Sequence, residues 1–198
     1  MGAIKISRGR FRVGIAVGLA LSLCVMAFQI RPSTIDNQDF NQVVLEEVLI
    51  RQINQERLEN GLDALKVNKP LQSAARDHAK YIAGINRLSH TQPTKAKERA
   101  RHRVEYYGGK MQGIGENTAF IGIGSRMLYP GRNGTRDTVS ITTYEGIAKY
   151  MINAWLNSEG HKANLLNSDF EYTGISAALN ADKTKVFAVQ VFGQSFPE

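Results

Sequence analysis

Cysteine is almost absent from this chain of 198 residues, since Cys24 is the only one and it lies in the most apolar stretch. The rest of the sequence therefore holds no disulfide, no thiolate metal site and no cysteine nucleophile. The patterns HExxH, GxSxG and GxGxxG and the phosphate-binding P-loop are also missing. The common hydrolase, nucleotide and dinucleotide mechanisms consequently have no support from the sequence.

The basic excess of the chain is concentrated at its amino terminus. Lys and Arg number 25 against 18 Asp and Glu, which gives a formal charge of +7. Residues 1–12 contain four basic side chains and no acid, and an apolar run from Val13 to Ile30 follows. This pattern predicts that residues 1–30 are a signal peptide or a signal anchor, inserted into the membrane during export. Cleavage after Ala27 and retention as an anchor both remain open.

Without its leader the chain is only mildly basic. Removing residues 1–27 takes away four positive charges and leaves 21 positive against 18 negative side chains. Such a small surplus provides no concentrated basic face, so no nucleic-acid partner is predicted. The predicted location is extracellular or in the cell envelope, with or without a membrane anchor.

Residues 31–38 are predicted to form a short polar linker and residues 39–198 a single domain. Apolar residues at helical spacing predict a helix from Asp39 to Asn60 and a second one from about Pro70. The charged segment Lys95–Tyr107 predicts a short exposed helix whose basic residues form a solvated face.

The second half of the domain is predicted to contain a loop, a helix and a hairpin. Glycine-rich residues 122–137 indicate a loop that serves either as a lid or as an insertion. Thr142 and Glu145 form a capping box at the start of a helix that should stop near Gly160. The alternating segments Phe170–Leu179 and Lys185–Gln194 predict an antiparallel hairpin. Helices followed by strands indicate an α+β fold.

The four histidines differ in their predicted surroundings. His78 lies on the apolar side of its helix, which favours a hydrogen-bonded structural imidazole over a ligand. His102 stands among arginines and is expected to be exposed. His90 and His161 each follow a predicted helix end, where loops often carry function. The sequence alone leaves a structural and a functional role equally open for each of these two.

The dispersed polar residues would support metal-ion chemistry if the fold brought them together. Two neutral imidazoles can hold a divalent cation, and the carboxylate of Glu116 has three possible roles beside them: metal ligand, orienter of a histidine, or base acting on bound water. Sequence spacing cannot show that these groups converge.

Three segments of the chain are similar to those of a known family. They are Leu88–Thr91 (LSHT), Gly115–Ala119 (GENTA) and Trp155–Leu166 (WLNSEGHKANLL), followed by a strand that contains Gly174. In this order they resemble the CAP superfamily of cysteine-rich secretory, antigen 5 and pathogenesis-related 1 proteins, in its bacterial, cysteine-free form. The similarity runs from about Leu45 to Gln194.

The resemblance implies a three-layer α-β-α sandwich, in which helices cover both faces of a small antiparallel sheet and leave a central cleft. In the family two histidines and two acids line this cleft, and the histidines of several members bind a divalent metal. Here His90 and His161 take the histidine places and Glu116 takes one acidic place. Ser158 stands where the second acid is expected. Glu159 is adjacent, but neighbours on a helix differ by about 100° in direction.

The resemblance also frames the expected function. The cleft is expected to include Glu116, Asn117, Ser158, Glu159 and Asn164. The two asparagines are interpreted as residues that bond the backbone. The implied cofactor is a weakly bound divalent metal, Zn or Mg, since two imidazoles and at most one carboxylate leave most of the coordination to water. We expect an exported, non-enzymatic protein that binds an envelope component, a lipid or a peptide. The alternative is a metal-dependent, peptidase-like hydrolase in which Glu116 activates water, so the sequence leaves enzymatic activity open.

Overall fold

The computed structural model describes residue 35 and residues 40–124, 126–130 and 136–197, and for residues 126–130 and 136–140 it describes the backbone alone. The predicted signal peptide or anchor lies outside these residues. Within the described part of the chain, no helix is long and apolar enough to cross a membrane.

Both predicted amino-terminal helices are present. Helix α1 spans Gln42–Glu59 and begins after Asn41, whose side chain accepts the amide hydrogens of Val43 and Val44. A two-residue strand β1, Lys66–Val67, follows and was not predicted. Helix α2 spans Lys69–Gly84, with a proline in its first turn and small residues along its buried face.

The predicted exposed helix at residues 95–107 differs from the prediction in two ways. It is divided into a 3₁₀ turn, Lys95–Lys97, and helix α3, Ala100–Tyr106. Its basic residues do not form one solvated face, because Arg103 is fully buried. The expectation that His102 is exposed is also wrong, since its side chain is half-buried.

The sheet has four strands, in the order β1, β5 (Tyr172–Leu179), β6 (Lys185–Gln194) and β2 (Gly113–Gly122). All neighbours are antiparallel except the short β1, which runs parallel to β5. The hairpin predicted at the carboxyl end is confirmed as β5 and β6. The elements between β2 and β5 are β3 (Arg126–Pro130), β4 (Arg136–Ser140), α4 (Tyr144–Leu156) and α5 (Glu159–Leu165).

Two apolar cores lie on opposite faces of this sheet, so the fold is the α-β-α sandwich that the resemblance implies. Because side chains alternate along a strand, β6 contributes to both cores. Val186, Ala188 and Phe192 pack with α1 and α4, whereas Phe187 and Val189 pack with α2 and α3. All five are completely buried.

The close contact between α2 and β5 depends on a glycine. A Cβ atom added to Gly174 would lie 2.1 Å from the backbone nitrogen of Gln72 and 2.1 Å from the carbonyl carbon of Leu71. Only a residue without a side chain permits this approach. The helix backbone therefore rests directly on the strand.

Three predictions in the second half of the chain need correction. Residues 122–137 do not form only a loop, because β3 and β4 pair as an antiparallel hairpin there. The helix predicted to stop near Gly160 ends at Leu156, and a second short helix, α5, follows it. The side chain that caps α4 is Thr143, one residue after the predicted position.

Side chains bind the backbone at both edges of the sheet. Two carbonyls of β2 accept hydrogen bonds from side chains of the helices. The indole Nε1 of Trp155 donates to the carbonyl of Thr118 at 3.1 Å, and Asn164 donates to the carbonyl of Glu116 at 3.3 Å. Beyond the two residues paired with β1, the side-chain amide of Gln72 both donates to and accepts from the backbone of Ile175 on β5. These contacts occupy positions where another strand would otherwise bind.

Candidate functional site

The candidate site is built on strand β2, where Glu116 and Asn117 point to opposite faces of the sheet. Glu116 is paired in register with Val191, and Asn117 with Gln190. Val191 belongs to the core under α2 and α3, so the Glu116 side chain lies on that face. Since β2 is an edge strand, both side chains reach elements at the rim of the sheet.

The Glu116 carboxylate is buried and neutralised by Arg103. Its side chain is only 5% exposed, and Arg103 Nη2 donates to its Oε2. The other terminal nitrogen of Arg103 donates to the carbonyls of Lys97 and Glu98, at 3.0 and 3.2 Å. A buried charge is tolerated when it is paired and hydrogen-bonded in this way.

His90 lies in the loop after α2 and binds the second oxygen of Glu116. Its Nδ1 is 2.9 Å from Glu116 Oε1, while 57% of its side chain remains exposed. A carboxylate only accepts hydrogen bonds, so Nδ1 carries the hydrogen and the neutral ring has a free lone pair on Nε2. The hydrogen bond to Glu116 raises the pKa of His90, because it stabilises the imidazolium.

His161 is the third member of the site and lies in α5, not in a loop. Its ring centroid is 6.3 Å from that of His90, with 47° between the ring planes. Burial lowers the pKa of His161, and the neighbouring His90 lowers it further. The structure thus brings together the two histidines and the glutamate that the sequence singled out.

Asn117 and Asn164 attach α5 to the edge of the sheet. Asn117 Nδ2 donates to the carbonyl of His161 at 3.0 Å, and Asn164 Nδ2 donates to Asn117 Oδ1 at 2.9 Å. Both side chains therefore bind the protein itself. Glu116 therefore holds the ring of His90, and its neighbour Asn117 holds the backbone of His161.

Ser158 and Glu159 stand at the beginning of α5. Ser158 precedes the helix, is half-buried and makes no side-chain cap hydrogen bond. Glu159 is the first helical residue and is exposed. Within the described residues, neither side chain takes part in the hydrogen bonds that connect His90, Glu116 and Arg103.

Arg103 and Gln92 were missed by the sequence analysis, and His78 was assigned only a structural role. His78 is fully buried and hydrogen-bonded at both ring nitrogens, to the Ser89 carbonyl and to the Gln92 amide. The sequence holds one weak indication that Arg103 is buried. Arg103 stands beside Val104, the only branched apolar residue of its helix. No pattern in the sequence distinguishes Gln92.

The site can offer nitrogen ligands to a metal ion. In the part of the chain that the structure describes, no group of three or more His, Cys, Asp or Glu residues could hold an ion. His90 and His161 therefore supply two imidazoles at most. Imidazole suits zinc, whereas magnesium prefers oxygen ligands, so the donor set fits Zn rather than Mg.

The fold, the three sequence segments and the paired histidines point to one family. The model of the CAP family, described as the cysteine-rich secretory protein family, matches residues 50–192. The chain belongs to the CAP family.

Two proteins of Bacillus subtilis (strain 168) are similar in sequence to this CAP domain. YkwD is 27% identical over 130 residues, which cover 66% of this chain and 41% of YkwD. The membrane protein YlbC is 26% identical over 148 residues, covering 74% of this chain and 36% of YlbC. The chain thus spans about two fifths of the length of these relatives.

Solved structures share the CAP fold. An extracellular protein of Bacillus anthracis that contains an SCP domain superposes with a TM-score of 0.57 and 23% identity, covering 78% of this chain and 41% of that one. An outer surface protein of Borrelia burgdorferi gives a TM-score of 0.59 and 21% identity, covering 84% of this chain and 100% of that one. At these identities the likeness establishes the fold.

The two site histidines are expected to titrate in a fixed order. The pKa of His90 lies above the ordinary value of 6.5, because Glu116 stabilises its charged form. The pKa of His161 lies below it, because burial and His90 penalise the charge. NMR titration of the ring protons in metal-free protein should give the higher midpoint for His90. In the His90→Asn variant the midpoint of His161 should rise; equal midpoints in the parent protein would contradict the site geometry.

Proposed function

We propose that this protein is an exported CAP-domain protein that binds an envelope component, a lipid or a peptide in the cleft beside His90 and His161, together with a weakly held zinc ion. The observation that carries the proposal is the pair of imidazole rings of His90 and His161. Their centroids are 6.3 Å apart, and the ring of His90 is oriented by a buried carboxylate. A partly exposed pair of this kind is open to both an ion and a ligand.

The hydrogen bond of His90 supports the metal part of the proposal. A metal-binding histidine typically donates its second ring N–H to a carboxylate, which fixes the tautomer and increases the basicity of the ligand nitrogen. His90 and Glu116 have this arrangement. A zinc ion held there would supply Lewis acidity to a bound carbonyl or phosphoryl group.

The environment of Glu116 favours binding over hydrolysis. In the alternative function, Glu116 would have to accept a proton from water. Both of its oxygens already accept hydrogen bonds, from His90 and from the buried Arg103, and the side chain is nearly inaccessible. These contacts are those of an orienting group.

Export is supported by two independent observations. Residues 1–30 have the basic and apolar regions of a signal sequence. One structural relative is described as an extracellular protein and another as an outer surface protein. We therefore place the domain outside the cell or in the envelope, released or anchored by its amino-terminal segment.

The zinc site is tested by calorimetric titration of the metal-free protein near pH 7.5. We expect saturable uptake of one Zn²⁺ per chain, and its loss in the double variant His90→Ala, His161→Ala, because both imidazole ligands are removed. His102→Ala, which changes a histidine outside the site, is the matched control and should bind as the parent does. Circular dichroism checks that each variant is folded.

The outcomes separate the proposed functions. Equal zinc uptake by the parent and the double variant would refute the metal assignment. Mass spectrometry of molecules that co-purify with the protein should identify a lipid or peptide. Turnover of a peptide or cell-wall substrate that is present in the parent and disappears in Glu116→Gln, with the fold intact, would instead favour the hydrolase.

A further inference from the structure

The loop that carries His90 has no regular structure, yet it is fixed on both sides of the histidine. His78, on α2, is completely buried beneath it. Its Nε2 lies 2.7 Å from the carbonyl oxygen of Ser89, immediately before His90. Its Nδ1 lies 3.1 Å from Nε2 of Gln92, two residues after His90. The imidazole of His78 therefore binds residues on both sides of His90.

The partners of His78 determine its tautomer. A carbonyl oxygen only accepts, so Nε2 carries the hydrogen and Nδ1 accepts from the Gln92 side-chain amide. The reverse orientation of that amide would turn its oxygen toward Asp77, whose Oδ2 is 3.5 Å from Gln92 Nε2. The Gln92 backbone amide in turn donates to the carbonyl of Glu98 at 2.9 Å. The loop is thereby connected to the segment preceding α3.

The same imidazole lies next to the carboxylate that orients His90. His78 Nε2 is 3.8 Å from Glu116 Oε1, the oxygen that accepts from His90 Nδ1. The Nε2–H group of His78, which donates to the Ser89 carbonyl, thus lies close to the negative oxygen. Since a hydrogen bond weakens steeply with distance, a loop displacement of about 1 Å would break the one between His90 and Glu116.

We propose that His78 and Gln92 are positioning residues that hold the His90 loop so that His90 keeps its hydrogen on Nδ1 and presents Nε2 to the cleft. This inference rests on the proposed function for its consequence, which is metal affinity. The geometry itself is a property of the metal-free protein. Neither His78 nor Gln92 is proposed as a ligand of the ion, and both act through His90.

The proposal is tested first by ¹⁵N NMR of the imidazole rings in the metal-free, full-length chain at a pH where His90 is neutral. The parent should show predominantly the Nδ1–H tautomer of His90. In His78→Leu and in Gln92→Leu, the tautomers should mix, because the loop no longer holds the ring against Glu116. His78→Gln, which restores a donor and an acceptor, should recover part of the parent signal.

Zinc affinity provides the second readout. Loss of an outer hydrogen-bonding partner typically weakens metal binding about 10–100-fold, and we expect a decrease in this range for both leucine variants. His102→Leu makes the same substitution at a histidine outside this network and should leave tautomer and affinity unchanged. Gln92→Leu decides the question if His78→Leu does not fold.

The results separate this proposal from the metal site itself. An unchanged His90 tautomer in the folded leucine variants would overturn the positioning role, whatever their stability. If the parent takes up no zinc but the variants change the tautomer, the metal assignment fails and the positioning role stands. If stability alone changes, His78 and Gln92 are merely structural and the proposal is refuted.

Discussion

Replacing Gly174 with alanine is expected to lower the free energy of unfolding by about 3–5 kcal/mol, among the largest effects of a single substitution. The added Cβ would meet the backbone of Leu71 and Gln72 at 2.1 Å. Backbone atoms of a helix cannot rotate aside as a flexible side chain can, so α2 would have to move off β5. Urea denaturation followed by circular dichroism measures the effect.

Gly84→Ala is the matched control for that substitution. Gly84 is the last residue of α2, and an added Cβ would meet nothing within 4 Å. Alanine should be neutral or stabilise the helix by up to about 1 kcal/mol. Similar stabilities of Gly174→Ala and Gly84→Ala would show that α2 does not rest on β5 as described.

Replacing Arg103 with methionine is expected to cost about 3–5 kcal/mol of stability, because it leaves the buried Glu116 carboxylate without its cation. Methionine fills much of the same space, so the loss arises mainly from charge and from the Lys97 and Glu98 carbonyls that Arg103 now binds. The same denaturation measurement applies. His90 should also lose its fixed orientation, which NMR detects.

The double variant Arg103→Met, Glu116→Gln isolates the charge contribution. Removing both charges should recover a large part of the lost stability, since no uncompensated ion remains buried. Arg99→Met changes an exposed arginine at the start of α3 and should alter stability by no more than about 0.5 kcal/mol. A double variant as unstable as Arg103→Met would argue against a buried charge pair.

Elements with strong local patterns could be predicted from the sequence. Helices α1 and α2 have apolar residues at helical spacing and begin near residues that favour helix starts, so their existence followed from local preferences. The β5–β6 hairpin alternates clearly and is joined by a short turn. The family resemblance supplied what spacing could not, namely the convergence of His90, Glu116 and His161.

The errors lie where tertiary contacts overrule local composition. Arg103 stands in a run of basic residues, and its burial depends on the carboxylate of Glu116 on β2 and on the carbonyls of Lys97 and Glu98. The glycines of residues 122–137 indicated a loop, although β3 and β4 pair there. Strand β1 is too short to carry any pattern, since its two residues depend on pairing with Tyr172 and Thr173.

The side chains that bind the margins of the sheet bear on how copies of this domain coexist at high density. Trp155 and Asn164 donate to backbone carbonyls on one margin, and Gln72 donates to the backbone carbonyl of Ile175 on the other. Intermolecular β-pairing needs such groups to be free. Crowded molecules should therefore resist joining into continuous fibrils, and beyond the two residues of β1 this resistance depends on an indole and two amides.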